Sequence, residues 1–515
     1  PPPSATAGAP AIFYTDIVTG PNTGGENNRG AYLTLFGSGF GATQGSSQVT
    51  INSIPVAAYK QWSDTKITIQ PGGSVTSGPV RVTGGGVTSN SDHTFTVVPG
   101  DIYFVSPSGN DTTGVIGDIN RPFRTTQTVL DRSDFGPGDH AVIRGGTWTD
   151  VFGQYGSFFS IHHKGGSATA PIAIIGYPGE TALFSRTTQT RGFHTYASPG
   201  YFVIANLHLD ARQGGVAIFA GVGTVGVRIV NNEVFNYFAD SGGAAAIDGS
   251  GKQYRILGNH IHDNGGSKLY HALYFDGRDT SGPDDIEIAY NHIYNQTGGR
   301  GVQIYGDTGT PITNVRVHHN LIHDISLDGI IFSRDTAGGF QAYDNVVYRT
   351  GVPELRGPSA DVGNAGGCIR FAGPDLIAEV YNNTFVDCAV DNSPDSAGIR
   401  FDNAAQITLR NNIIHTTGGA GYANLSIPTS SISATNNLWF GSGASPSWDI
   451  NAVTSDPLFV GASVGNFRLF SGSPAIDRGS SSVNTVVTTD FDGNMRPQGS
   501  GYDIGAYEYA SGGTT

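Results

Sequence analysis

The sequence predicts an all-β protein, most of it a solenoid of stacked extended coils. Glycine supplies 75 of the 515 residues, which suits tight turns between short strands better than it suits helices. An asparagine-centred strand motif also recurs through the second half of the chain, as in "GNHIHD", "YNHIYN" and "HNLIHD". A repeat of this length indicates supersecondary units that bury one continuous core when they stack.

The asparagines of this motif recur at intervals of 25 to 38 residues. When coils turn in register, each side-chain amide can bond to the amides of the coils above and below. We therefore predict an internal ladder of structural asparagines. Its members are Asn206, Asn232, Asn259, Asn291, Asn320, Asn345, Asn383, Asn412 and Asn437.

A second strand precedes each asparagine motif within its coil, as in "ALYFD", "GVQIY", "GIIFS", "CIRFA" and "GIRFD". Alternation of period two assigns Leu273 and Phe275 to the interior of the first of these strands, and their counterparts to the interior of the others. The residues between them then face outward. That outward face contains rings, amides, carboxylates and guanidinium groups, which suit a sugar-binding groove.

The N-terminal part of the chain has a different pattern. Residues 1–10 form a Pro/Ala/Ser arm with little to bury, and residues 11–99 contain short alternating runs that predict a small β-sandwich. The runs "LTLFGSGFG" and "SDTKITIQ" resemble the IPT/TIG immunoglobulin-like family. That resemblance implies a spacer, a binding module or an assembly module.

Residues 100–510 carry a second resemblance. The stretches "SPSGNDTTGVIGDINRPFRT" and "DFDGNMRPQGSGYDIGAYEY" resemble the opening and closing segments of secreted right-handed parallel β-helix proteins of the pectate-lyase-like superfamily. The resemblance implies a secreted or cell-surface protein with a polysaccharide partner. Residues 511–515 are predicted to form a short tail.

Bulk properties exclude some classes of function. The formal charge of -14 argues against a nucleic-acid partner, and no apolar run is long enough to predict a membrane span. The two cysteines, Cys368 and Cys388, fit either a disulfide or two small buried side chains. The histidines of the asparagine motifs are interpreted as structural or surface residues rather than as metal ligands.

The strongest catalytic candidates are Asp248 and Asp276, which we predict to occupy equivalent positions on successive coils. Their backbones would then lie about 4.8 Å apart, close to the carboxylate spacing of retaining glycosidases. A calcium site is the alternative interpretation of the same two carboxylates, since hard cations also collect clustered acids. No cofactor is otherwise predicted.

Further polar residues surround this pair. His271, Arg278 and Asp307 complete the predicted catalytic group. The predicted substrate-binding residues are Lys268, Tyr274, Arg300, Gln303, Tyr305, Arg370, Arg400 and Asp402. Arg278 and Asp307 fit equally well into a stacked edge of opposite charges.

Three functions from different classes remain open. The first is a glycoside hydrolase that uses the paired carboxylates. The second is a polysaccharide lyase or epimerase in which a base removes the proton beside a uronate carboxylate, and Arg278, Arg300 or calcium neutralises that carboxylate. The third is a non-catalytic surface or filament protein whose arm and IPT/TIG-like domain contact a neighbouring subunit.

Overall fold

The computed structural model describes residues 9–186, 191–196, 198–211, 215–239, 244–276, 284–306, 312–334, 339–356, 366–391, 393–418 and 420–510. These residues divide into two compact units. The first unit takes its residues from 1–211, 219–233 and 254–259, and the second from 212–218, 234–253 and 260–515. Predicted site residues Arg278 and Asp307 lie outside the described residues.

The first unit begins with the predicted immunoglobulin-like β-sandwich. One antiparallel sheet runs in the order Ala11–Thr15, Leu33–Ser38, Lys66–Gln70 and Ala58–Trp62. The facing sheet contains Thr19–Gly20, Thr94–Val97, Gly78–Gly84, Gln48–Ile51, Ile54–Pro55 and Val87–Thr88. Alternate residues of these strands, such as Leu35, Ile67 and Val82, are fully buried between the sheets, as period-two patterning requires.

Parallel coils follow the sandwich within the same unit. One face contains Ile102–Val105, His140–Ile143, Ile172–Gly176, Gly200–Ala205, Ile218–Val230 and Arg255–Leu257. A second face contains Ser157–His162 and Arg191–Tyr196. A third contains Gly146–Trp148, Ala182–Arg186 and His208–Ala211. The described residues contain one α-helix, Thr126–Asp131, and none of their helices has the length and apolar character that crossing a membrane requires.

The second unit is a parallel β-solenoid with three strands to a coil. The face that carries the predicted site, here called the site sheet, contains Ala244–Lys252, Tyr270–Asp276, Val302–Gly306, Ile330–Arg334, Ile369–Ala372, Ala397–Asn403 and Gly421–Leu425. A second face contains Asp284–Ala289, Thr313–His318, Phe340–Tyr343, Ile377–Tyr381, Gln406–Arg410, Ile432–Thr435 and Asp449–Ile450. The third contains His260–His262, His292–Gln296, Leu321–Ile325, Val346–Thr350, Thr384–Val386, Ile413–His415 and Leu438–Phe440.

Shorter elements complete the chain. The remaining strands are Glu233–Phe235, Phe238–Ala239 with Gly265–Gly266, and the antiparallel hairpin Phe459–Gly461 with Asn466–Leu469. The 3₁₀ turns are Glu26–Asn28, Gln154–Gly156, Pro353–Leu355, Thr429–Ser431, Ala462–Val464 and Ser481–Val483.

The interior columns predicted for the site sheet are confirmed. One column stacks Leu273, Val302, Ile330, Ile369 and Ile399, which pair in register on successive coils and are fully buried. The neighbouring column stacks Phe275, Ile304, Phe332, Phe371 and Phe401. Glycine precedes the strands Val302–Gly306 and Ile330–Arg334 because the coils approach closely there: a Cβ on Gly301 would lie 2.5 Å from the Gly329 carbonyl oxygen.

The asparagine ladder is present and buried. Asn345 is typical: its backbone N–H and its Nδ2 both donate to Asn383 Oδ1, at 3.0 and 2.9 Å, and Nδ2 also donates to the Val317 carbonyl oxygen at 2.8 Å. In the second unit the same bonds join Asn291, Asn320, Asn345, Asn383, Asn412 and Asn437. In the first unit Asn232 bonds in the same way to Asn259.

The residue before each ladder asparagine has a left-handed backbone. These residues are Asn231, Gly258, Tyr290, His319, Asp344, Asn382, Asn411 and Asn436. Asparagine, aspartate and glycine tolerate positive φ better than other residues, which explains why "NN", "GN" and "DN" recur. Each coil therefore turns this corner in the same two residues.

The prediction that Asn206 belongs to the ladder is wrong by one residue. Asn206 has a φ of 58° and accepts a 2.7 Å hydrogen bond from Asn231 Nδ2, so it occupies the left-handed corner position. Leu207 takes the ladder position, and its backbone N–H donates to Asn232 Oδ1. The motif "ANLHL" therefore ends the ladder with an apolar side chain.

The closing segment lies over this corner in the second unit. The Arg496 guanidinium, which is fully buried, donates to Asp344 Oδ1 at 2.8 Å and to Glu508 Oε1 at 2.7 Å. Asn382 Nδ2 donates to the Asp503 carbonyl oxygen at 2.9 Å. In the same unit Cys368 and Cys388 form a disulfide, with their Cα atoms 5.3 Å apart, which decides between the two interpretations of the cysteines.

Replacing a ladder asparagine is expected to destabilise the fold. Asn345→Ala leaves the buried amide of Asn320 without its Oδ1 acceptor and removes the side-chain donor to Asn383 Oδ1, although the backbone N–H of residue 345 still donates to that oxygen. We expect a loss of about 2–4 kcal/mol in unfolding free energy, measured by urea denaturation. Asn484→Ala, at an exposed position, is the matched control. Equal effects of the two substitutions would contradict the structural role of the ladder.

The last asparagine of the ladder, Asn437, is hydrogen-bonded to Asp449. Asp449 Oδ2 accepts from Asn437 Nδ2 at 3.1 Å and from Trp439 Nε1 at 2.5 Å. Burial raises the pKa of Asp449 to about 6 despite these bonds. The folded protein therefore binds this proton more tightly than the unfolded chain does. The stability contributed by the protonated group is fully present below pH ~4 and is lost as the pH rises through ~6.

Asp449→Asn should remove this dependence. We expect the variant to be more stable than the original protein by about 2–3 kcal/mol at pH 7.5 and nearly equal to it at pH 4, because only the ionised carboxyl carries the burial penalty. Urea denaturation at both values measures the difference, with the exposed Asp375→Asn as the control. A gain that does not depend on pH would refute the assigned cause.

Candidate functional site

The outward face of the site sheet carries two columns of polar and aromatic side chains. One stacks Asp248, Tyr274, Gln303, Ile331, Arg370 and Arg400. The pairings from Tyr274 to Arg400 agree with the sequence prediction. The second column places Tyr305 opposite Asp276 and Ser333 opposite Tyr305.

The predicted pairing of Asp248 with Asp276 is wrong. Asp248 lies opposite Tyr274, and the partner of Asp276 on the neighbouring strand is Ser250, whose hydroxyl donates to Asp276 Oδ1. The strand Ala244–Lys252 is displaced by two residues from the predicted register. The two aspartates are therefore diagonal neighbours, with Cα atoms about 8 Å apart by strand geometry. Both are buried, with 7% and 1% of their surface exposed.

Three arginines and two aspartates form a connected network on the same sheet. Arg300 Nε donates to Asp328 Oδ2 at 3.0 Å, and Arg370 Nη1 lies 3.6 Å from the same oxygen. Arg400 Nη1 lies 3.9 Å from Asp328 Oδ1. Asp402 completes the network, since it accepts from Arg370 at 2.8 Å and from Arg400 at 3.3 Å.

A β-bulge positions Asp402. Phe371 pairs with Phe401, but the next pair is Ala372 with Asn403, so Asp402 is the extra residue. Aligning "CIRFA" with "GIRFD" in the sequence predicts instead that Asp402 lies opposite Ala372. Bulges re-aim side chains, and this one brings the carboxylate of Asp402 to the two stacked guanidinium groups of Arg370 and Arg400.

The network is positive overall and partly open to solvent. Asp328 is completely buried, whereas the side chain of Arg370 is 21% exposed. Burial lowers the pKa of Arg300 although Asp328 opposes the shift. For Arg370 burial acts in the same direction, but the nearby carboxylates of Asp328 and Asp402 outweigh it and raise its pKa. Among these five described side chains, guanidinium groups outnumber carboxylates by three to two.

His271 is held in one hydrogen-bonding state beside this network. Its Nδ1 accepts from the backbone N–H of Arg300 at 3.2 Å, so the proton of the neutral ring is on Nε2. Burial, assisted by the charge of Arg300, lowers the pKa of His271 well below its ordinary value. The ring also stacks on Tyr274, with the ring centroids 5.5 Å apart. His271 is thus a neutral hydrogen-bond donor rather than a proton acceptor.

The remaining predicted binding residues lie around these groups. Gln303 Oε1 accepts from Arg300 Nη1 at 3.1 Å, which fixes the side-chain amide. Tyr305 is half-buried, and its ring centroid lies 6.1 Å from that of Tyr274. The Arg334 guanidinium lies 5.1 Å from the ring centroid of Tyr305. Lys268 is half-buried in the turn that leads into Tyr270–Asp276.

The calcium interpretation does not fit this geometry. It required the carboxylates of Asp248 and Asp276 side by side on neighbouring strands, and the register separates them by two residues. One oxygen of Asp276 is also engaged by Ser250.

Two contributors, Asp328 and Ser250, have no catalytic or binding role in the site predicted from the sequence, although Asp328 is expected near it. Asp328 could have been found, because "GRGV" and "LDGI" align Arg300 with Asp328 on successive coils and opposite charges at equivalent positions pair. Ser250 had no comparable signal, since its role depends on the displaced register of its strand.

Comparisons with known proteins agree with this architecture. Residues 15–97 match the IPT/TIG domain family, so the sandwich is an IPT/TIG domain. Among solved structures, pectate lyase Pel9A superposes with a TM-score of 0.51 at 15% identity, over 80% of this chain and 96% of that one. XylC in complex with xylose gives a TM-score of 0.49 at 11% identity, over 79% and 99%. The chain has the fold of the parallel β-helix proteins.

Two curated enzymes match part of the sequence. The cyclomaltodextrin glucanotransferases of Niallia circulans and of Bacillus sp. (strain 6.6.3) are each 28% identical over 159 residues, which is 30% of this chain and 21% of each enzyme. The chain therefore spans about a fifth of the length of these relatives.

The network should depend on its buried aspartate more than on its exposed one. Asp328→Asn removes the carboxylate shared by three arginines, and we expect a loss of about 3–5 kcal/mol in unfolding free energy. Asp402→Asn, at a position 26% exposed, should cost about 1 kcal/mol or less. Urea denaturation of both variants measures the contrast, and similar losses would show that Asp328 does not organise the network.

Proposed function

We propose that this protein binds an acidic polysaccharide along the site sheet and cleaves it by β-elimination, as polysaccharide lyases do. The observation that carries the proposal is the arginine network, which stacks Arg370 and Arg400 on successive coils and joins them through Asp328 to Arg300, whose Nη1 donates to Gln303. Planar guanidinium groups bind carboxylates through paired hydrogen bonds. Hydrogen bonds from guanidinium groups to carboxylates are stronger than those to neutral hydroxyl groups, so three arginines favour an acidic polymer over a neutral one.

The chemistry assigns each group a task. Arg300 and Arg370 hold the uronate carboxylate and stabilise the negative charge that develops on it. A base removes the proton from the carbon beside that carboxylate, and a carbon–carbon double bond forms as the bond to the leaving oxygen breaks. The leaving oxygen takes the electron pair of that bond and is protonated by an acid group or by water. The hydroxyl of Tyr274, stacked against neutral His271, is our candidate for the group that exchanges protons with substrate.

A hydrolase remains the second candidate because of the diagonal aspartates. Inverting glycosidases hold their two carboxyl groups about 6.5–9.5 Å apart, and diagonal neighbours on adjacent strands have Cα atoms about 8 Å apart, a backbone spacing compatible with that range. Asp248 and Asp276 would then act as the general acid and base. The retaining mechanism predicted from the sequence has lost its support, since it needs the two residues opposite each other.

The location and partners are proposed on other grounds. The disulfide of Cys368 and Cys388 supports an oxidising compartment, consistent with a secreted or cell-surface protein. Self-assembly through the arm and the IPT/TIG domain, and a purely structural role, stay as predictions. Residues 1–8 of the arm lie outside the described part of the chain.

One assay separates the two chemistries. The full chain is incubated with pectic, alginate and neutral polymers, and both reducing ends and the ultraviolet absorbance of an unsaturated product are followed. β-Elimination raises both signals on an acidic polymer, whereas hydrolysis raises only the first. Loss of all reducing-end release in Asp276→Asn, without any ultraviolet signal in the original protein, would replace the lyase with the hydrolase.

Substitutions should distinguish residues that bind the substrate from residues that act in the chemical step. Arg370→Met should raise KM by about 10-fold or more, because a charge-assisted bond to the substrate is lost. Tyr274→Phe should lower kcat by about 10²–10⁴-fold with a smaller effect on KM. Arg121→Met, in an exposed ion pair of the first unit, is the control. Unchanged kinetics in both site variants would refute the assignment.

A further inference from the structure

A polar cavity lies in the first unit between the IPT/TIG domain and the coils that follow it. Its volume is about 240 Å³. Gln61, Lys66 and Thr68 line it from the sandwich, and Tyr177 and His208 line it from the coils. None of these residues takes part in the site described above.

The walls of this cavity are fixed to each other by buried polar contacts. Asp16 Oδ2 accepts from Asn206 Nδ2 at 2.9 Å, and Arg228 Nη2 donates to the Thr15 carbonyl oxygen at 2.6 Å. Glu26 Oε2 accepts from Lys60 Nζ at 2.5 Å and from the Tyr177 hydroxyl at 3.0 Å. A cavity between walls held in this way is preformed, which reduces the cost of binding a ligand.

Lys66 is the cation of this cavity that lacks an anionic partner. Its ammonium lies 5.4 Å from the ring centroid of Phe36 and makes no hydrogen bond or ion pair with any residue of the described chain. Nearby cations differ in this respect, since Lys60 pairs with Glu26 and Arg144 with Glu180. Burial lowers the pKa of Lys66, although the charge of Asp16 opposes the shift.

The other lining groups suit hydroxyl groups. Gln61 Oε1 accepts from Thr68 Oγ1 at 3.3 Å, and its Nε2 donates to no other described residue. His208 is oriented by a 2.5 Å bond between its Nδ1 and Glu233 Oε2. The rings of Tyr32 and Tyr177 stand at 69° to each other with centroids 5.2 Å apart. The carboxylates of Asp16 and Glu180 also line the cavity, but Asp16 is bonded to Asn206 and Glu180 is paired with Arg144. The amide, imidazole and phenol groups around the Lys66 ammonium resemble the lining expected for a charged sugar.

We propose that this cavity binds one carboxylated sugar residue, a hexuronate. The carboxylate pairs with the Lys66 ammonium, and the ring hydroxyls bond to the Gln61 amide and the lining polar groups. An inorganic oxyanion would fill only a small part of about 240 Å³, whereas the cavity is too small for the drug-sized ligands that occupy about 300–1,000 Å³. The inference does not rest on the proposed cleavage, because it uses other residues in another unit.

Calorimetric titration of the full chain tests the proposal with three probes: sodium glucuronate, glucose and sodium sulfate. We expect glucuronate to bind in the millimolar range or tighter, with no measurable heat from glucose or sulfate. Lys66→Met, which keeps the aliphatic stem over Phe36, should weaken glucuronate binding by about 10-fold or more. Gln61→Ala should weaken it less, and Lys252→Met, in the second unit, should leave it unchanged.

Several results would overturn the proposal. These are no binding of glucuronate to the original protein, equal binding of sulfate, and unaltered binding in Lys66→Met with a preserved melting temperature. The outcome is independent of the cleavage assay, because Lys66→Met should leave polymer cleavage unchanged. A protein that binds glucuronate but cleaves nothing would retain this site and lose the proposed lyase activity.

Discussion

The structure depends on one repeated constraint, the two-residue corner at which a left-handed residue is followed by a ladder asparagine. Asn383 illustrates it: Asn382 turns the chain at a φ of 51°, and the amide of Asn383 then bonds to the coils on both sides. The corner fixes both where a coil turns and how far it lies from the next. Coils of different lengths therefore return to the same register at the next corner.

That constant register determines which residues become neighbours on the outward face. Because successive coils lie about 4.8 Å apart, residues from distant parts of the chain stack as close neighbours. Arg370 and Arg400 are 30 positions apart in the numbering yet adjacent on the sheet. The chemistry of the site arises where this regularity is broken, at the bulge of Asp402 and in the strand entries that carry Arg300 and Asp328.

Sequence patterning was sufficient for the core and insufficient for parts of the site. Large alternating residues such as Phe332 and Phe371 mark the interior without ambiguity. The strand Ala244–Lys252 offers "AAAID", whose small residues do not distinguish two registers that differ by two positions. A displacement of the strand by two residues keeps every side chain on the same face, so the alternating pattern cannot detect it. Asp248 therefore lies opposite Tyr274 rather than opposite Asp276 as the pattern predicted. A bulge such as that at Asp402 is likewise invisible in a pattern of alternation.

The acidic composition of the chain does not oppose an anionic substrate at this site. The formal charge of -14 is spread over 515 residues, and at physiological ionic strength exposed charges are screened beyond about 8 Å. The arginines of the network are mostly buried, so their field at the groove is screened much less. Asp328, fully enclosed beneath them, holds the guanidinium groups close together against their mutual repulsion. The sign of the charge that a polymer meets is therefore set by this network rather than by the whole protein.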